Sequence, residues 1–165
     1  MVSTNLTKKL NKIKIVLTDV DGVLTDGGMY YTKDADIMKK FHARDGMGVT
    51  LLRKNNIPTI IVTKEKTKMV RNWAKKMNIS HVYDGVQQKE KLLKEICKKY
   101  AVTSSQIAYI GDDVNDLGLL KKVGFSATPN DGIVDAKKIV DHVCEKKGGD
   151  GVLREVADMI LHNID

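Results

Sequence analysis

Asp19 and Asp21 stand two residues apart in the stretch Ile13 to Gly28, IKIVLTDVDGVLTDGG, directly after an apolar and mostly β-branched run. Two carboxylates this close repel each other unless positive charge lies between them, and oxygen-only donors suit a hard cation such as Mg2+. Gly22 follows and lets the backbone turn sharply. Taken alone, Asp-x-Asp-Gly also fits a plain turn capped by its aspartates. Farther along, Thr63 closes the run TIIVT, Lys89 opens a helical pattern, and Asp112, Asp113 and Asp116 follow the run IAYI. Each has an ordinary explanation: a helix cap, a surface lysine, a turn. Their shared position gives them meaning together.

That position is set by the elements before them. The run from Ile13 to Leu17 is too short for a helix and too uniform for a solvent-facing strand, so it reads as a buried central strand. Pro58 opens a second strand ending at Thr63, His81 to Tyr83 form a third, and Ile107 to Ile110 a fourth. Between them lie helical patterns. One is N-capped by Asp45, carries Met47, Val49, Leu51 and Leu52, and ends near Asn55-Asn56. The next bears Val70, Trp73, Ala74 and Met77, and the one from Lys89 bears Leu92, Leu93, Ile96, Cys97 and Tyr100. Such alternation predicts an α/β fold, a central parallel sheet flanked by helices. The functional crevice of an open parallel sheet lies outside the carboxyl ends of its strands, which is where all these polar groups fall. Residues 27–41 alternate around Lys33-Asp34-Ala35-Asp36 as a hairpin does, and residues 1–12 read as a polar lead-in.

Composition narrows the function. With 165 residues, 42% hydrophobic and 30% charged, residues 1–165 are expected to form a single domain with one core. No apolar run approaches the roughly 20 residues of a membrane span, and MVSTNLTKKLNK lacks the apolar core of a signal peptide, so a cytoplasmic protein is expected. Cys97 and Cys144 are far apart and suggest neither zinc nor a disulfide framework. The net charge of +7 is carried by lysines spread singly and in pairs, and aromatic content is 5%. That describes a solvated basic surface that attracts an anionic small molecule, rather than a nucleic-acid binder.

From Asp-x-Asp-Gly through the Thr63 strand, Lys89 and Gly-Asp-Asp-x-x-Asp, the chain resembles the haloacid dehalogenase (HAD) superfamily of phosphatases. The segments DVDGVLTDGGMYY, KKFHARDGMGV, AYIGDDVND and KKGGDGVLREVADMIL more narrowly resemble its small capless branch, which dephosphorylates 3-deoxy-2-keto sugar acids. The resemblance implies a Rossmann-like HAD fold with a β-hairpin flap over residues 22–41 and no cap domain, since a hairpin and a helix already fill the stretch from Asp21 to Thr63. It implies Mg2+-dependent hydrolysis through an aspartyl phosphate. Asp19 would be the nucleophile, and Asp21 the general acid and then base. Asp19, the Asp21 carbonyl and Asp112 would hold the metal. Thr63 and Lys89 would bind phosphate oxygens, and Asp113 or Asp116 would steady Lys89.

The resemblance further implies a homotetramer whose glycine-rich tail, residues 145–165, reaches a neighbouring active site. There Gly149, the helix beginning at Gly151, and Arg154 would meet a substrate carboxylate. After Thr63 the family usually has Gly and then Arg or Glu, whereas Lys64-Glu65 stand here. Glu65 resembles the nonulosonate branch; Arg44 and Asp45 in FHARDG resemble the octulosonate branch. The expected substrate is 3-deoxy-D-manno-octulosonate 8-phosphate (KDO 8-phosphate). The alternatives are a KDN or N-acylneuraminate 9-phosphate, or a weakly catalytic domain associated with an acylneuraminate cytidylyltransferase. A phosphoacceptor signalling domain would instead carry its aspartate where this chain has Thr63.

Overall fold

A helix, α1 (Thr4–Leu10), leads into the sheet in the computed structural model, which describes residues 4–163. Composition predicts only a polar lead-in there, but Leu6 and Leu10 are four apart and share a helix face. Leu10 is fully buried and Leu6 packs against the same core. Strand β1 (Ile15–Thr18) is buried along its whole length. The hairpin strands β2 (Tyr30–Tyr31) and β3 (Asp36–Met38) pair antiparallel outside the main sheet and leave Met29, Tyr30, Tyr31 and Met38 exposed.

Helix α2 (Ala43–Lys54) begins before Asp45, which corrects the expected cap. His42, in extended conformation, accepts the Arg44 N–H through Nδ1 at 3.2 Å, and Asp45 lies buried in the first turn. Strand β4 (Thr59–Val62), helix α3 (Lys68–Lys76) and strand β5 (His81–Tyr83) follow. Lys89 starts a 3-10 turn, Lys89–Leu92, which hands on to α4 (Leu93–Tyr100). Strand β6 (Ile107–Ile110) matches its expected bounds; a 3-10 turn, Val114–Asp116, and the short α5 (Leu117–Leu120) come next. The sheet then continues past the expected four strands. Beyond them come β7 (Phe125–Thr128), α6 (Val134–Ile139), β8 (His142–Val143) and α7 (Val152–Leu161).

The six strands are parallel in the order β5-β4-β1-β6-β7-β8. Leu17 on β1 lies opposite Ile60 on one side and Tyr109 on the other, so these central strands end at nearly one level. The four inner strands β4, β1, β6 and β7 are buried on both faces, as a parallel sheet covered by helices requires, whereas the edge strands β5 and β8 are partly exposed. Val16, Ile61, Ala108 and Ile110 meet α2, α3 and α7, whereas Leu17, Ile60, Val62 and Tyr109 meet α4, α5 and α6. Among the described residues no helix is long and apolar enough to cross a membrane.

Candidate active site

Asp19 is the first residue beyond β1, and its N–H donates to the Ile110 carbonyl at 3.0 Å, continuing the ladder one step past the strand. Its Oδ1 accepts the Val20 N–H at 2.7 Å and its Oδ2 lies 2.9 Å from the Lys89 ammonium. Lys89 is fully buried, and its ammonium also reaches Asp116 Oδ1 at 2.6 Å and the Tyr109 hydroxyl at 3.3 Å. The Tyr109 hydroxyl in turn donates to Asp116. Asp116 Oδ2 accepts the N–H groups of Asp112 at 2.9 Å and Asp113 at 3.1 Å, so both its oxygens are committed. Asp113 caps the following turn by accepting the Val114 N–H at 2.7 Å. The geometry therefore divides the two roles left open by the sequence: Asp116 holds Lys89, and Asp113 shapes its own loop.

The two acidic loops touch through Gly22. Its φ of +85° is left-handed, and a Cβ there would collide with the Asp112 carboxylate. Asp19, Asp112 and Asp116 thus each place a carboxylate oxygen within 4.8 Å of the others. Burial pushes the Asp19 carboxyl up to about 7, although Lys89 pulls it down. Asp112 is pushed up to about 8, by burial first and then by the charges of Asp19, Asp116 and Asp113. Burial would lower the Lys89 ammonium, but Asp19 and Asp116 together outweigh it and hold Lys89 above the ordinary lysine range. Asp112 Oδ1 is buried without a hydrogen-bond partner. Reluctant carboxylates around an unpartnered buried oxygen are what a divalent cation satisfies, and an all-oxygen donor set fits Mg2+. Each Asp116 oxygen already accepts two hydrogen bonds, whereas each Asp19 oxygen has one partner and Asp112 Oδ1 none, so Asp19 and Asp112 are the side chains that fit such an ion.

These groups line a cleft of about 260 Å³ together with Asp21, Thr63, Lys64 and Glu65. Thr63 is buried at the end of β4, its backbone tied to the Tyr83 carbonyl at 2.8 Å and the Val86 N–H at 3.1 Å. Asp21 receives the Lys39 ammonium at 2.6 Å.

Within one chain, Arg44 and Arg154 are not brought to this cleft. They line a separate cavity of about 680 Å³ beside α7. There the Arg154 Nε–H lies 2.8 and 2.9 Å from the two Asp158 oxygens. In the first turn of α7, expected to offer donors to a substrate, the Arg154 N–H is taken by Asp45 Oδ1 at 2.9 Å. Gly149, at a φ of +70°, donates its N–H to the Val23 carbonyl at 2.9 Å, and a Cβ there would strike the Thr25–Asp26 backbone. The glycine-rich loop is thus stitched to its own Asp-x-Asp-Gly loop, and α7 packs on α2 of the same chain. Residues 164 and 165 of the tail lie outside the described residues.

Sequence reasoning missed Tyr109 and Lys39. A tyrosine in an otherwise aliphatic buried strand signals a hidden polar partner, which is how Tyr109 could have been found; Lys39 carried no such signal. It also missed that His142, Cys144 and Glu155 bring donor atoms within 4.8 Å. Glu155, however, is engaged with His142 and with the Glu145 and Lys146 N–H groups, and burial pushes the Cys144 thiol well up.

Comparison with known proteins accords with this geometry. The family model for haloacid dehalogenase-like hydrolases matches residues 53–156. The 3-deoxy-D-manno-octulosonate 8-phosphate phosphatase of Haemophilus influenzae is 38% identical over 154 residues, covering 93% of this chain and 86% of that protein. Its counterpart in Salmonella typhi is 34% identical over 164 residues, covering 97% and 85%. Among solved structures, the cobalt-bound Haemophilus enzyme aligns with a TM-score of 0.91 at 38% identity, over 94% of this chain and 91% of that one. The Moraxella catarrhalis enzyme, in complex with magnesium ion, phosphate ion and KDO, aligns with a TM-score of 0.92 at 34% identity, over 96% and 91%. Matched by the family model over more than half its length and by these relatives over nearly all of it, the chain belongs to the haloacid dehalogenase-like hydrolases, in the branch of the 3-deoxy-D-manno-octulosonate 8-phosphate phosphatases.

Proposed function

We propose that this phosphoric monoester hydrolase removes the phosphate of 3-deoxy-D-manno-octulosonate 8-phosphate through an aspartyl phosphate on Asp19. The observation that carries the reading is the buried chain Asp19–Lys89–Asp116 beside the unpartnered oxygen of Asp112. In the first half, an Asp19 oxygen attacks phosphorus while the bond from phosphorus to the sugar oxygen breaks. Asp21 gives that oxygen its proton. In the second half, water attacks the same phosphorus and passes a proton to Asp21, the bond to Asp19 breaks, and inorganic phosphate leaves with the Asp19 carboxylate restored.

Asp19, Asp112 and the Asp21 carbonyl would hold Mg2+, which when bound supplies the positive charge that lets a carboxylate approach a phosphate dianion. Lys89 keeps Asp19 in place and adds positive charge where the phosphoryl oxygens gather theirs, and Thr63 offers its hydroxyl to one of them. The cleft suits a phosphate and the adjoining end of a small sugar acid rather than a macromolecule. The outward Met29, Tyr30, Tyr31 and Met38 of the hairpin accord with cover by further copies of the chain, as a homotetramer would provide.

The test is phosphate release, with Mg2+ and with EDTA, from octulosonate 8-phosphate and a nonulosonate 9-phosphate side by side. Expected is metal-dependent release with at least about a tenfold preference in kcat/KM for the octulosonate, the scale of discrimination a few binding contacts give. Preference for the nonulosonate would move the substrate to the branch that Glu65 resembles. Absence of release from both, or release indifferent to EDTA, would overturn the proposal.

A further inference from the structure

Lys39 lies just past β3, on the returning arm of the hairpin, yet its side chain is 1% exposed and its ammonium sits 2.6 Å from Asp21 Oδ1. Lysine is almost never buried without a charged partner, so the hairpin places this ammonium at a cost that the Asp21 carboxylate offsets. Asp21 is 30% exposed along its side chain and lines the cleft beside Asp19 and Asp112. Among the described residues Lys39 is the donor its carboxylate has. One oxygen is thereby held from behind by the hairpin, and Oδ2 is left for the cleft.

We propose that Lys39 is a positioning residue for the reaction: it fixes the side-chain rotamer of Asp21 so that Oδ2 points at the leaving sugar oxygen. The inference rests on the reading of Asp21 as the proton donor. A proton donor works only within about 2.6 to 3.2 Å of its acceptor, and a misplacement of about 1 Å can cost about a hundredfold. An aspartate at a turn beyond a strand end, without Lys39, would sample several rotamers. The hairpin is therefore tied to the reaction through Lys39: whatever displaces it also displaces the acid.

The leaving group separates this role from a merely structural one. The sugar alkoxide needs a proton as it departs, whereas the phenolate of p-nitrophenyl phosphate does not. We would measure kcat and kcat/KM on both substrates for Lys39→Met, Lys39→Arg and Asp21→Asn, with the melting temperature of each variant. Expected for Lys39→Met is a loss of about 10- to 100-fold in kcat/KM on the sugar acid phosphate, carried by kcat, against less than about threefold on the aryl phosphate. Lys39→Arg should recover most of it, and Asp21→Asn should show the same selectivity more strongly. Equal losses on both substrates in Lys39→Met, with selective loss in Asp21→Asn, would overturn the proposal and leave Asp21 as the acid. Equal losses of kcat/KM, which reports the first half-reaction and not the shared hydrolysis of the aspartyl phosphate, on both substrates in Asp21→Asn would overturn the proposal and the assignment of Asp21 as the acid together.

Discussion

The cleft beyond β1 and the cavity beside α7 both gather ionised side chains, and they treat charge in opposite ways. Behind the cleft, the fully buried Lys89 serves Asp19 and Asp116 at once, and Asp112 keeps a buried oxygen without a donor. Beside α7, Arg154 is 32% exposed and takes Asp158 one turn along the same helix, while Glu155 is satisfied by two backbone N–H groups and His142. A compensated surface pair contributes at most about 1 kcal/mol. Buried carboxylates that no donor fully compensates raise one another's proton affinity and call for a cation and a ligand. The difference explains why the larger cavity is not the one we assign to the reaction.

The sharpest way to break this contrast is Asp116→Ala. It takes one of its two carboxylates from the buried Lys89 ammonium and leaves the Tyr109 hydroxyl and two backbone N–H groups without their acceptor, a defect of about 3 to 5 kcal/mol. Expected is a fall in melting temperature of about 6 °C or more together with loss of turnover; full activity would show that the buried chain is dispensable. Next in size is the response to metal. Saturating Mg2+ should raise the wild-type melting temperature by about 5 °C or more and leave Asp112→Asn nearly unmoved. An equal shift in both would place the ion elsewhere.

Arg154→Ala should change kcat/KM by less than about threefold, because the pair it breaks is exposed. A tenfold rise in KM would instead show that Arg154 reaches a substrate, as delivery to a neighbouring subunit's site would require. The smallest effect concerns Asp45, whose carboxyl burial pushes up to about 6 although the α7 N–H groups pull it down. Its folded form keeps a proton that the unfolded chain has lost, so the stability it contributes is fully present below about pH 4 and is lost as pH rises through about 6. Thermal melts of wild type and Asp45→Asn should therefore converge below about pH 4, draw apart between about pH 4 and 6 and stay apart above that, with the variant melting higher. Parallel curves would contradict it.

What could be read in advance follows from the range of the interactions. β1, β4 and β6 are continuous apolar runs because both their faces are covered, so their carboxyl ends, and Asp19, Thr63 and Asp112 with them, can be placed from the chain alone. Asp45 could not be: it carries the local signature of a cap, but the N–H it serves is 109 residues away. Lys39 was hidden for the same reason, being one lysine among many until the hairpin folds it onto Asp21. The two-residue β8 is held by its neighbours rather than by its own pattern, and the many polar residues of α1 conceal the Leu6–Leu10 face.

The most direct test is to trap the covalent intermediate on Asp19. Enzyme mixed with phosphorus-labelled octulosonate 8-phosphate and Mg2+ would be acid-quenched within one turnover, reduced with borohydride and mapped by mass spectrometry. Expected are acid-stable label on the protein, reduction confined to Asp19, and no label in Asp19→Asn, whose turnover falls by about a thousandfold or more. Turnover in Asp19→Asn comparable to wild type, or a label mapped to another residue, would contradict it.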